Sequence, residues 1–338
     1  MKASLYSQCR GWLKRLARDA ALGEGETMRI KLMIALLIAA SGVTAAPQAV
    51  DKLNEFRVAM ENWTRLNFLS GVLTVSAHER ETAAPALFET GGRLEARDAN
   101  ENEFRWNGRV ASGRTIEIKG VNGNVRAEPS TGSEVEVVAT KHARRSNPAD
   151  VQIKVIEHEG GVTICAIYPT GEAGKTNQCE VGERWSTHTR DNDVAVDFTV
   201  RVPAGLSFVG RTVNGEVETG AMNGDVEAFA VNGSISVAAS GYVIARTVNG
   251  SINASVGSAD WPCELSFETV NGEITLNLPD ATGAQVNAET LNGSINTDFP
   301  MTVQGRFSRR RLNGTIGDGK HQLTLKTVNG SINMRRGK

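Results

Sequence analysis

The sequence predicts an all-β protein: a single-stranded, β-helix-like solenoid with stacked Asn-Gly corners. A signal peptide and a short helical N-terminal segment are expected to precede it. Three observations carry the prediction. Asn-Gly falls at 214, 223, 232, 249, 271, 292, 313 and 329, with an earlier copy at 122. With 223 set aside, the successive steps are 18, 17, 22, 21, 21 and 16 residues, the spacing of a repeated supersecondary unit. Upstream, TIEIKGVNGNV, EVEVVAT, VQIKVIEHE, GVTICAIY and VAVDFTVRVP alternate apolar with polar residues, the pattern of half-buried strands. Finally, 35 glycines against 5% aromatics suit a turn-rich β protein better than a helical bundle.

From the N-terminus, five regions are expected. Residues 1–27 are a mis-assigned leader, because Gly23-Glu24-Gly25-Glu26-Thr27 back-translates to a purine-rich stretch ahead of Met28. Residues 28–46 are a signal peptide. Met28-Arg29-Ile30-Lys31 is its basic start, Leu32 to Val43 its apolar run, and Thr44-Ala45-Ala46 its small-residue cleavage site. The run is too short to persist as a membrane span. Translation from Met1 or Met60 remains open, and either Met28 or Met60 implies export to the periplasm or cell surface. Residues 47–105 are a helix and linker, with Val50, Leu53, Phe56, Met60 and Trp63 at helical spacing. Residues 106–205 are a β-strand region that ends at Pro203-Ala204-Gly205, and 206–338 are the Asn-Gly solenoid.

The constant corners are Asn214-Gly215, Asn232-Gly233, Asn249-Gly250, Asn271-Gly272, Asn292-Gly293, Asn313-Gly314 and Asn329-Gly330. A second, variable breaker sits halfway through each step. Asn-Gly also signals a tight hairpin. A hairpin here would oppose Val213 to Glu216 and split the apolar flanks between two faces. Stacking instead lets Val213 and Val217 point inward, with Thr212 and Glu216 outward. Glycine is expected at the corner for its access to φ > 0, and the asparagines are expected to hydrogen-bond along the stack. One turn cannot bury its own apolar side, so neighbours must supply main-chain bonds and core.

Cys165 and Cys179 lie 14 residues apart in a loop-like stretch. In an oxidising compartment they can close a disulfide loop worth ~3 kcal/mol. Cys263 is then left over and expected to be unpaired and buried.

The repeated corners RTVNGEV, RTVNGSI, ETVNGEI, ETLNGSI and KTVNGSI, with DFTVRVPAG before them, resemble the DUF4097 family, the adhesin-like or toast-rack proteins of bacteria. The resemblance covers roughly 106–338. It implies a right-handed solenoid-like fold, export and a role at the cell envelope. It implies no enzyme and no catalytic residues.

The 37 basic and 38 acidic residues nearly cancel, and no aromatic platform accompanies Lys141-His142-Ala143-Arg144-Arg145, so nucleic acid is not the expected partner. HExxH, GxSxG, Walker and Rossmann patterns are absent, and the five histidines fall in no metal spacing. No cofactor or metal is expected. Glu216, Glu218, Asp225 and Glu227 could hold Ca²⁺ or work on a glycan, but a solvated face explains them. Asp191-Asn192-Asp193 lacks the rest of a calcium loop. Charge is uneven: residues 201–298 hold 3 basic and 11 acidic residues, and 299–338 hold 9 Lys/Arg against 1 Asp. Arg306, Arg309, Arg310, Arg311, Arg335 and Arg336 therefore either bind an anionic envelope polymer or guard an open solenoid end.

The expected function is a non-enzymatic envelope module, adhesin-like, that binds or scaffolds through a repetitive surface. Its partner would be an anionic envelope polymer or another envelope protein. The alternatives are a polysaccharide-acting β-helix enzyme and an envelope-stress sensor with a protein partner.

Overall fold

The alternating runs become strands. The computed structural model describes residues 102–170, 176–182, 187, 189, 191–303 and 308–337. The expected leader, signal peptide and helix lie outside these residues, as does Arg306. Described residues at the end of the expected linker already belong to β1 (Glu103–Gly108).

The strands that follow β1 are β2 (Thr115–Lys119), β3 (Val125–Ser130), β4 (Val135–His142), β5 (Gln152–His158), β6 (Gly161–Ile167) and β7 (Ala195–Pro203). Next come β8 (Ser207–Arg211), β9 (Val217–Met222), β10 (Val226–Phe229), β11 (Ile235–Ala239), β12 (Val243–Asn249), β13 (Ile252–Val256), β14 (Leu265–Asn271) and β15 (Ile274–Leu278). The last are β16 (Ala284–Asn292), β17 (Ile295–Thr297), β18 (Met301–Val303), β19 (Arg311–Ile316), β20 (His321–Asn329) and β21 (Ile332–Arg336). They form two mixed sheets and no closed barrel. The front sheet runs β1-β4-β7-β3-β9-β11-β13-β15-β21-β17, and the back sheet β18-β19-β16-β20-β14-β12-β10-β8-β2-β6-β5.

Each coil lays one strand in the back sheet, turns at Asn-Gly, and lays the next in the front sheet. Inward side chains such as Phe208, Phe267, Leu265, Ile235, Ile252 and Ile274 are fully buried between the sheets. Parallel registry keeps equivalent residues level: Ile235 opposes Ile252, Ile252 opposes Ile274, and Ile274 opposes Ile332.

Antiparallel strands close the N-terminal end. β4 and β1 follow β7 in the front sheet, and β5 follows β6 in the back sheet. Because β3 pairs with both β7 and β9, the corner at 122 stacks directly on the one at 214, and the intervening chain becomes the end of the rod.

The column of corners departs from chain order. It reads Asn122, Asn214, Asn232, Asn249, Asn271, Asn329, Asn292, because β20 and β21 insert between β14–β15 and β16–β17. Asn313-Gly314 is a correction. It lies inside β19, opposite Asn287 and Val286 of an antiparallel partner, and forms no corner. The position two before each stacked Asn is buried Thr212, Thr247, Thr269, Thr290 or Thr327, or small Gly120 or Ala230. Before Asn313 that position holds Arg311, which is exposed. A guanidinium cannot occupy the interior unpaired, so the segment shifts parity and buries Leu312 instead.

The corner threonines correct a second expectation. Thr212 is fully buried and Val213 half-exposed, so Thr, not Val, turns inward. The buried hydroxyl has a partner in the neighbouring coil. Thr212 donates to Gly123 O, Thr247 to Gly233 O, Thr269 to Gly250 O, Thr327 to Gly272 O and Thr290 to Gly330 O, at 2.8–3.0 Å.

Glycine is required at the corner for space more than for φ. Gly233, Gly250, Gly272 and Gly293 lie outside the left-handed window, yet a Cβ on each would sit about 2 Å from the carbonyl oxygen of the adjacent corner glycine.

Candidate binding surface

The described residues offer four surface features: an asparagine column, two sheet faces and a basic end. Along the column the Nδ2 of each Asn from 214 onward donates to the Oδ1 of its neighbour at 2.7–2.9 Å, and the side chains are exposed except that of half-buried Asn122 at the end. The bonds all run one way, and each inner amide spends one of its two N–H donors and one of its two oxygen lone pairs on its neighbours. This leaves the column a structural seam.

The outward face of the front sheet carries polar side chains in rows. Cross-strand registry aligns Arg126, Glu218, Ser236, Asn253, Thr275, Asn333 and Asn296 in one row. At the Arg126 end the row is charged, and Arg126 pairs with Glu218 at 2.6 Å. From Ser236 onward it is neutral. A second row two residues on carries Ala238, Ser255, Asn277 and Arg335. Over five strands this makes a polar strip about 19 Å long at ~4.8 Å per strand, bordered by Arg335 on one side and on the other by Glu273, which accepts from Thr275 at 3.1 Å and from Asn333 at 2.6 Å.

The back sheet's outward face is largely covered near β2. Glu117 accepts from Arg211 Nε at 3.0 Å and from Thr163 Oγ1 at 3.1 Å, and Lys119 Nζ lies 3.6 Å away. Lys119 is 0% exposed and donates to the carbonyls of Glu180 and Gly182, each at 2.6 Å. Burial lowers its pKa, and Glu117 opposes that shift. The Arg211 guanidinium lies 4.0 Å from the Phe229 ring centroid. The Cys165–Cys179 disulfide, Cα–Cα 5.7 Å, tethers the segment that carries these carbonyls. Sequence reading missed this cluster: TIEIK announces an outward Glu and Lys, and nothing local says that another segment will cover them. Burial pushes Tyr168, which donates to Val194 O at 2.9 Å, up to about 12. Cys263 is a further correction: it is half-buried and disulfide-bonded, not left over as an unpaired thiol.

The four flagged carboxylates do not converge. Glu216 and Glu218 lie at the front sheet, whereas Asp225 and Glu227 belong to the back-sheet side and meet Tyr242 through its N–H at 3.0 Å and its hydroxyl at 2.6 Å. Burial raises the Asp225 pKa against that N–H bond. Asp191, Asn192 and Asp193 line a cleft of about 780 Å³ with Arg145, Ser146, Asn147, Asp150 and Pro169. Asp193 there accepts from the backbone N–H of Ser146 at 2.8 Å, and its pKa falls to about 2. Among the described residues no set of three His, Cys, Asp or Glu side chains is arranged to hold a metal ion.

The basic residues close the far end. The carbonyls of Arg309 and Arg310 accept from the N–H groups of Ile295 and Thr290 at 3.0 and 2.9 Å, so this stretch caps the last coil with its main chain. Arg311 pairs with Glu289. Arg336 donates to Asp298 O at 3.1 Å and lies near the Phe299 ring. Arg335 stands on the front face. These arginines share one end of the stack without forming one pocket.

Two sheets wound from stacked coils, with a corner seam and a polar face, define a solenoid-like β protein. The chain belongs to the Toastrack DUF4097 family, whose sequence profile matches residues 111–335. No curated protein matches the chain. Three solved structures are similar to it. A "putative cell adhesion protein" from Clostridium sporogenes shares 13% identity over 69% of this chain and 99% of its own, with TM-score 0.38. A "putative adhesin" from Bacteroides fragilis shares 11% over 70% and 98%, with TM-score 0.29. A "putative lipid binding protein" from Parabacteroides distasonis shares 12% over 71% and 98%, with TM-score 0.25. Likeness at this level transfers no function.

Proposed function

We propose that the protein is a non-enzymatic module of the cell envelope that uses its stacked coils as a binding or scaffolding surface. The reading rests chiefly on the polar front face, where the uncharged side chains of Ser236, Asn253, Thr275, Asn333 and Asn296 repeat one strand apart. Such a surface offers many shallow hydrogen bonds to an extended polymer, and binding gains strength through multivalency. The basic end takes an anionic partner. The Cys165–Cys179 disulfide supports export, since such bonds persist in oxidising compartments. No helix among the described residues is long and apolar enough to cross a membrane.

The test is retention of the full chain on immobilised neutral and anionic envelope polysaccharides. The variant Asn253→Ala/Thr275→Ala/Asn333→Ala is expected to lose neutral-polymer retention at an unchanged melting temperature. Arg309→Ala/Arg310→Ala/Arg311→Ala is expected to lose anionic retention. Failure to bind either class, or release of reducing ends from the polymer, overturns the reading.

A further inference from the structure

The back sheet continues two strands past the last coil, through β19 and β18, whereas the front sheet stops at β17. At ~4.8 Å per strand, a step about 10 Å wide is left beside β17. Its floor is apolar. β18 sets Met301 opposite Ile316 and Val303 opposite Gly314. Opposed residues share a face, and Ile316 and Gly314 are buried on the inner side. Met301 and Val303 therefore also point inward, yet Met301 is half-exposed and Val303 37% exposed. No front-sheet strand of the described chain extends over them.

The wall of the step is a strand edge that the 309–310 main chain takes only at its Ile295 end. β17 bonds to β21 through the Ser294 carbonyl and the Asp298 N–H. Alternation in a parallel ladder then turns the N–H and C=O groups of residues 295 and 297 away from β21. Arg309 O takes the Ile295 N–H. The Ile295 carbonyl and both main-chain groups of Thr297 have no main-chain partner among the described residues. The rim is positive: Arg309, Arg310 and Arg335 are exposed and join no ion pair among the described residues.

We propose that this step is a docking site for an acidic, extended peptide segment of a partner protein, added as a strand on β17. Its alternate apolar side chains cover Met301 and Val303, and its carboxylates meet Arg309, Arg310 and Arg335. Strand addition takes affinity from main-chain bonds and specificity from alternate side chains. A second copy is disfavoured, because its own end is equally basic. The inference rests on the reading that the basic end takes an anionic partner, and it narrows that partner to a peptide strand.

The experiment measures binding of the full chain to a labelled nine-residue peptide alternating valine and glutamate. The comparison probes are the same peptide N-methylated at alternate positions, a valine–lysine counterpart, and polygalacturonate, a polyanion without amides. The valine–glutamate peptide is expected to bind, at least tenfold more tightly than the N-methylated or lysine forms. Arg309→Ala/Arg310→Ala/Arg335→Ala is expected to weaken it at least tenfold, and Thr297→Pro, which removes the outward N–H, likewise. The N-methylated probe keeps the test decisive if Thr297→Pro does not fold. Equal binding of the N-methylated peptide overturns strand addition, as does self-association through this end that is lost in the arginine variant. Arginine-dependent retention of polygalacturonate without peptide binding overturns the inference and leaves the anionic-partner reading standing. Binding of neither overturns both.

Discussion

Replacing Gly250 by alanine should damage the fold out of proportion to one methyl group. The added Cβ would sit 2.1 Å from Gly233 O, 2.5 Å from its carbonyl carbon and 2.9 Å from Ser234 N. All three are main-chain atoms of the neighbouring coil, so no side chain can rotate aside. Relief to ordinary contact requires the coils to part by more than 1 Å on the order of a Cβ···O van der Waals distance. That separation strains the Gly233 N–H to Asn249 O bond at 2.9 Å and the Asn249 to Asn232 side-chain bond at 2.9 Å. Overpacking costs about 1–3 kcal/mol, and each weakened bond about 1 kcal/mol. The expected loss is about 3–5 kcal/mol, or a melting temperature lowered by about 6–20 °C for a domain of this size. Gly257→Ala is the control, since its nearest neighbour would be Ala239 O at an ordinary 3.6 Å. Equilibrium denaturation of both variants decides the matter. Equal stability of Gly250→Ala and Gly257→Ala would refute the claim that corner glycines are fixed by close approach.

Other expectations follow from the same geometry. Asn249→Ala removes two exposed side-chain bonds, to Asn232 and from Asn271, and should cost about 1–2 kcal/mol by urea denaturation. Cys165→Ser/Cys179→Ser should cost ~3 kcal/mol and speed amide exchange at residues 180–182, whose carbonyls hold Lys119. The Asp193 carboxyl has a folded pKa of about 2 against an ordinary 3.8. Its stabilisation is full above the ordinary value and is lost as pH falls through the folded one. Asp193→Asn should therefore flatten the stability profile between pH 3.8 and 2, and an unchanged acid limb in the variant would contradict the assignment.

Much of the architecture was legible because it is local. TIEIK, EVEVVAT and VAVDFTVRVP became β2, β4 and β7, since period-two alternation needs only one covered face. The spacing of Asn-Gly announced stacking, because each corner carries its own turn and its own ladder amide. The inward residue was misassigned from sequence. Val213 is the more apolar neighbour of the corner, but Thr212 owns a hydroxyl that can reach a backbone carbonyl of the next coil. The exclusion of Asn313 had a local sign, an arginine where other corners carry threonine. The front-face rows were implicit in the strands, but which residues lie side by side depends on which coils are neighbours.

By itself the sequence determined the all-β class, the constant corner, the disulfide-competent loop and the basic tail, since each depends on a few adjacent residues. Tertiary structure decided the order of the column, with Asn329 between Asn271 and Asn292. It also decided the burial of Glu117, Lys119 and Arg211 and the two-strand step beside β17. Successive corners are so alike that any coil can stack on any other. Local chemistry is therefore nearly degenerate in stacking order, and only the cap at each end and the path of the connecting chain select one arrangement.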